Sequence, residues 1–99
     1  MVSRTLVYAA LNSERDYQRS RANAIGDAEE HRHSLEEWAT YIEDYVAEMK
    51  HSLSRVWRQD GLPTKAELDT LRKITAMGVA AMEQHGAPQR AGFEYVVTE

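Results

Sequence analysis

The sequence predicts an all-α protein: three antiparallel helices with a long central one, a bundle completed by oligomerisation, and a short extended arm at the C-terminus. Three observations predict it. Apolar residues recur at spacings of three and four over two long stretches, the mark of a helix face. Ser/Thr-x-x-Glu start signals open both stretches, and glycine follows each of them. A chain of 99 residues is one domain's worth, so a two-domain enzyme is excluded.

The first helix is expected over about 5–24. Leu6, Val7, Ala10, Leu11 and Tyr17 form a short, imperfect apolar stripe there before Ile25-Gly26-Asp27 interrupts. The second is expected over about 34–59. Ser34 and Glu37 have capping-box spacing, in which the hydroxyl accepts from the N3 amide while the carboxylate reaches back to the N-cap amide. Leu35, Trp38, Ile42, Tyr45, Met49 and Val56 then follow a seam broken at Ser52, widened by Val46, Leu53 and Trp57. A helix of roughly 25 residues spans on the order of 38 Å, more than a compact domain of this size covers alone. Self-association is therefore expected, with Trp57 as its best reporter.

Leu62-Pro63 makes the next break, and Thr64 with Glu67 repeats the capping-box spacing at the start of a third helix over about 65–85. Leu68, Leu71, Ile74, Met77, Ala81 and Met82 carry its apolar face, while Ala76, Gly78 and Ala80 keep parts of the surface small enough for close backbone approach. His85-Gly86 ends it, glycine being the preferred left-handed residue there. In the tail, 89–99, Phe93-Glu94-Tyr95-Val96-Val97 suits a short strand or an arm laid on a partner, and the sequence does not choose between them.

Composition narrows the functions. Hydrophobic residues at 42% and charged residues at 28% are globular values, and a net charge of −4 offers no general attraction for a nucleic-acid backbone or an anionic membrane. Cysteine is absent, which removes disulfides, thiolate zinc sites and a thiol nucleophile. No stretch reads as a signal peptide or membrane span, so an intracellular, cytoplasmic protein is expected.

The sharpest constellation is on the second helix. Glu37, Tyr41, Asp44, Glu48, His51 and Arg55 follow steps of four, three, four, three and four along one stripe. Carboxylates spaced as Asp44 and Glu48 are can ligate one magnesium ion, although an acidic helix face is more often simply solvated. Residues 27–48 hold eight acids against one Arg, an excess that invites a cation or serves helix-dipole complementarity and solubility. His31 and His33 beside Glu29 and Glu30 have the composition of a transition-metal cluster but sit on a loop without defined geometry. On the first helix Arg15 and Arg21 can grip phosphate and Tyr17 can stack on a base. On the third, Arg72 and Lys73 can hold phosphate, or both can pair with Asp69. Replacing either by alanine is expected to leave stability almost unchanged. No phosphate loop, dinucleotide fingerprint or zinc-protease helix occurs.

Three segments together carry a resemblance. Glu14-Arg15-Asp16-Tyr17-Gln18, His33-Ser34-Leu35-Glu36-Glu37-Trp38 and Ala76-Met77-Gly78-Val79-Ala80-Ala81-Met82-Glu83-Gln84-His85-Gly86 resemble, in order, the ERxYQ, HSxxEW and AVxVAxMEQHG segments of small phage and prophage MazG-like proteins. The likeness covers about residues 11–90. It implies the all-α nucleoside triphosphate pyrophosphohydrolase group: an oligomeric helical bundle, magnesium on acidic helix motifs, and cleavage of a nucleotide to its monophosphate and pyrophosphate. The family's EExxE falls on Asp44-Tyr45-Val46-Ala47-Glu48 and its ExxD on Thr70-Leu71-Arg72-Lys73, so two of five carboxylates remain. The resemblance thus implies a descendant that binds a small nucleotide through Arg15, Tyr17, Arg21, Arg72 and Lys73, with no cofactor. The alternative is a magnesium-dependent enzyme using Glu37, Asp44 and Glu48, and the third is a helical protein-interaction module. Magnesium-dependent pyrophosphate release is expected to be weak or absent. The resemblance also implies a phage setting and hence a host-cell cytoplasm.

Overall fold

In the computed structural model, residues 1–26, 31–59 and 64–98 are described, except for the side chains of 55–59. They form three α-helices, α1 Arg4–Ala24, α2 Leu35–Gln59 and α3 Lys65–His85, and no strand occurs among the described residues. The expected turn at Leu62-Pro63, the acids Asp27, Glu29 and Glu30, and the side chains of Val56 and Trp57 lie outside the described residues.

Each helix start follows from local chemistry. Ser3 caps α1, its hydroxyl accepting from the Leu6 amide at 3.2 Å, a signal that moves the start slightly before the expected Thr5. The Ser34 box on α2 is complete: the Glu37 amide donates to Ser34 Oγ at 3.1 Å, and the Ser34 amide donates to Glu37 Oε1 at 2.9 Å. The expected box on α3 is only half made. Thr64 Oγ1 donates its proton to Glu67 Oε2 and accepts nothing from the backbone. Glu67 is buried and also meets Ser52, so the polar break in the α2 seam faces a polar residue on α3. At the far end Gly86 stops α3 with φ 128° and ψ 152°, a mostly glycine-only region and not the expected left-handed helical conformation. Its amide still closes on the Met82 carbonyl at 2.8 Å.

α3 stands between the other two helices, and α1 and α2 do not pack on each other among the described residues. Trp38 lies against Ala80 and Ala81, Tyr45 beside Lys73, and Ser52 beside Glu67, so α2 runs antiparallel to α3. α1 meets α3 through Glu14 with Arg72 and Arg15 with Glu83, in the same chain sense as α3.

This arrangement changes what is buried. The buried apolar set is Ala22, Trp38, Ala76, Ala80 and Ala81. Ala76, Ala80 and Ala81 occupy α3 where neighbours approach from both sides, while Leu68, Leu71 and Met82, expected on its buried face, are exposed. On α1 the stripe of Leu6, Val7 and Tyr17 is likewise exposed, and the helix instead buries Glu14, Arg15 and Ala22. Amphipathic spacing names an apolar stripe but not which neighbour covers it.

The described residues of the tail, 89–98, are neither helix nor strand. The Gln89 side chain closes it into a loop, donating to the Tyr95 carbonyl at 3.0 Å and accepting from the Tyr95 amide, while Gly92 turns at φ 86°. Phe93, Tyr95, Val96 and Val97 all face outward.

Candidate functional site

The site is a polar pocket of about 410 Å³ between α1 and α3, lined by Ser13, Glu14, Tyr17, Asp69, Thr70, Arg72 and Lys73. α1 supplies one wall and α3 the other, because the turns that carry Glu14 and Arg72 are joined by their ion pair. Arg72 Nε donates to Glu14 Oε1 at 2.9 Å and Nη1 donates to Asp69 Oδ1 at 2.6 Å. The Glu14 hydrogen bond, then that of Asp69, raises the already high pKa of the guanidinium. Lys65 first and Arg72 second hold the Asp69 carboxyl below the usual carboxylate range.

Lys73 stands apart from this network. It meets no carboxylate among the described residues, and its ammonium lies over the Tyr45 ring, 5.0 Å from the centroid. An exposed cation–π contact is worth about 0.5–1 kcal/mol, weak enough for the lysine to exchange it for an anion. The expectation that Asp69 pairs with both cations holds for Arg72 alone. The hydroxyls of Ser13 and Thr70 donate to the Ala10 and Ala66 carbonyls, so neither offers a proton to a ligand in this arrangement. Tyr17 presents an exposed ring at the same pocket, and Arg21 one turn on donates to its hydroxyl at 3.3 Å.

Of the five residues singled out for phosphate or base contact, Tyr17, Arg72 and Lys73 therefore line one pocket, and Arg21 borders it. Arg15 does not. It is buried, pairs with Glu83 and donates to Gln18, tying α1 to the last turn of α3.

The acidic stripe is divided. Asp44 and Glu48 share a pocket of about 280 Å³ with Tyr41 and Tyr45, whereas Glu37 belongs to another, beside Glu36, Thr40 and Tyr41. No group of three or more His, Asp or Glu side chains suited to a metal ion occurs among the described residues. Glu37 is committed to its helix start. The Ser34 amide and then the Ser34 hydroxyl hold its carboxyl below the usual range, with a smaller pull from His33. A carboxyl whose folded pKa is depressed stabilises the fold above its unfolded value, about 4.3, and loses that contribution as pH falls through the folded value. The stability difference between the parent and Glu37→Gln is accordingly expected to shrink below about pH 4.3. Urea unfolding at pH 6, 4 and 3 checks this, and a difference independent of pH would refute it.

Sequence reasoning missed Gln84. Its Oε1 accepts from the His33 amide at 3.1 Å and from Trp38 Nε1 at 2.9 Å, while Nε2 donates to the His31 carbonyl at 3.1 Å. Arg32 donates to the Gln84 carbonyl, and the His85 ring donates to the His33 carbonyl. His33 packs edge-on against His31, Trp38 and Tyr41, so the two loop histidines stand in a knot that anchors the α2 start on the α3 end.

No helix among the described residues is long and apolar enough to cross a membrane. Comparison with protein-family profiles, with curated proteins and with solved structures finds no match to this chain.

Proposed function

We propose that this chain is a nucleotide-binding protein, of the phage type its motifs resemble, that acts in the cytoplasm as a homo-oligomer and holds a nucleotide or nucleotide-derived signal without cleaving it. The observation that carries the reading is the convergence of Tyr17 from α1 with Arg72 and Lys73 from α3 on one pocket, although they stand more than fifty residues apart in sequence. Its size suits a small ligand, since such pockets run to about 300–1,000 Å³. At this pocket the exposed Tyr17 ring offers stacking to a base, and Lys73, which meets no carboxylate among the described residues, offers charge to a phosphate. Thr70 and Lys73, standing where the resembled family carries its second acidic motif, leave a divalent ion poorly served at this pocket.

The test is thermal unfolding with a panel of mono-, di- and cyclic nucleotides. At least one is expected to raise the melting temperature of the parent. Lys73→Ala is expected to weaken that ligand's binding by about ten- to a hundredfold, since a charge-assisted hydrogen bond contributes about 1.5–3 kcal/mol. Tyr17→Ala is expected to weaken it by about five- to a hundredfold through lost stacking. If no nucleotide raises the melting temperature, the interaction-module reading replaces this one. Magnesium-dependent pyrophosphate release abolished by Glu48→Gln would instead put Asp44 and Glu48 at a catalytic centre.

A further inference from the structure

A second, apolar groove of about 410 Å³ runs alongside the polar pocket. It is lined by Val2, Leu6, Val7, Ala10 and Leu11 from the α1 side and by Leu68, Leu71, Arg72 and Thr75 from α3. Val2, Leu6, Val7, Leu68 and Leu71 are each between 45% and 66% exposed, and none of the described tail residues lines the groove. Scattered exposed leucines are ordinary, but a continuous apolar trough on two helices marks a contact surface.

We propose that this groove seats a second copy of this chain, with α1 and α3 of both protomers meeting about a two-fold axis in a four-helix core around Leu6, Val7, Leu68 and Leu71. Surface area argues for a large partner. The chain exposes 8184 Å². That is roughly 2,400 Å² more than the ~5,700 Å² expected of a folded monomer of this mass, whereas a stable interface takes only about 800 Å² from each partner. The radius of gyration, 15.7 Å, likewise exceeds the ~13 Å expected of a chain this long. Charge argues for a copy of the same chain. A two-fold interface opposes each patch to itself, so like charges at its centre repel. The acidic face of α2 is unsuited to that, whereas among the described residues Arg72 is the one ionisable residue lining the groove, and Glu14 and Asp69 already compensate it.

This inference rests on the homo-oligomeric reading above and fixes its face, moving it from the α2 seam and Trp57 to α1 and α3. The test is light scattering during size-exclusion chromatography of the full chain at micromolar concentration. The parent is expected at twice its 11.3 kDa mass or a higher even multiple, and its melting temperature is expected to rise with protein concentration. Leu71→Glu is expected to halve the particle mass while circular dichroism still reports helix. If that variant loses its helical signal, Leu6→Lys on the opposite wall decides in the same way. Removal of residues 89–99 is expected to leave the mass of the assembly, in chains, unchanged. A parent at 11.3 kDa would overturn both the oligomer and its face. Folded Leu71→Glu and Leu6→Lys variants that keep the parent's assembly would overturn the face alone, and dissociation on loss of the tail would assign the contact to Phe93–Val97.

Discussion

Replacing Trp38 by alanine is expected to cost about 3–5 kcal/mol, the usual loss when a large aromatic leaves a packed interior. Among the described residues Trp38 is the one large side chain in the buried apolar set, seated on Ala80 and Ala81 with Met77 alongside. Alanines cannot extend to fill the space it vacates, and the Gln84 carboxamide loses the indole donor that meets it at 2.9 Å. In a domain of this size such a loss lowers the melting temperature by roughly 12 °C or more. Trp38→Phe keeps much of the volume and loses the donor, and about 1–2 kcal/mol is expected for it. Thermal and urea unfolding followed by circular dichroism measure both. A Trp38→Ala protein within about 1 kcal/mol of the parent would mean that the α2/α3 seam is held by other contacts.

The second large effect is expected at Arg72, against the sequence-based expectation of almost none. That expectation rested on an exposed pair with Asp69. The structure adds Glu14, whose side chain is 92% removed from solvent and whose carboxylate accepts from Arg72 Nε. Arg72→Ala leaves that carboxylate without its charged partner, which costs about 1–3 kcal/mol, with the lower half favoured because the guanidinium itself is more than a third exposed. Glu14→Gln in the same chain removes the stranded charge and is expected to restore part of the loss. Urea unfolding of the two single variants and the double variant gives the coupling directly. Additive losses would show that the pair contributes nothing. For the ligand test this makes Lys73 the cleaner probe, because Arg72 also joins two helices.

The number and bounds of the helices were legible because they depend on local signals. Ser34 and Glu37 satisfy each other across three residues, and glycine at 86 can take a backbone angle that other residues avoid. The core was less legible. Leu68, Leu71 and Met82 look like core by spacing, yet Ala76, Ala80 and Ala81 are buried, because α3 is approached from two sides and only small residues permit that. Gln84 gave no local sign at all, since its partners His31, His33 and Trp38 lie 46–53 residues away in the chain. In the candidate site, residue type was enough to single out Tyr17, Arg72 and Lys73. It could not reveal that Arg15 of the same charged run turns to Glu83, because that depends on which face of α1 meets α3.

Because, among the described residues, α1 and α2 each pack on α3 and not on one another, these residues form two seams that can part separately. The α2/α3 seam contains Trp38 and the Gln84 knot, whereas the α1/α3 seam relies on Ala22 and the ion pairs of Glu14 and Arg15. Amide hydrogen exchange should therefore divide the molecule, with α1 exchanging first through a partial opening that leaves the α2/α3 hairpin intact. Since α1 forms one wall of both grooves, that opening would dismantle the polar pocket and the apolar trough together. Anything that occupies either groove, a nucleotide or a second copy, is then expected to slow exchange along the whole of α1.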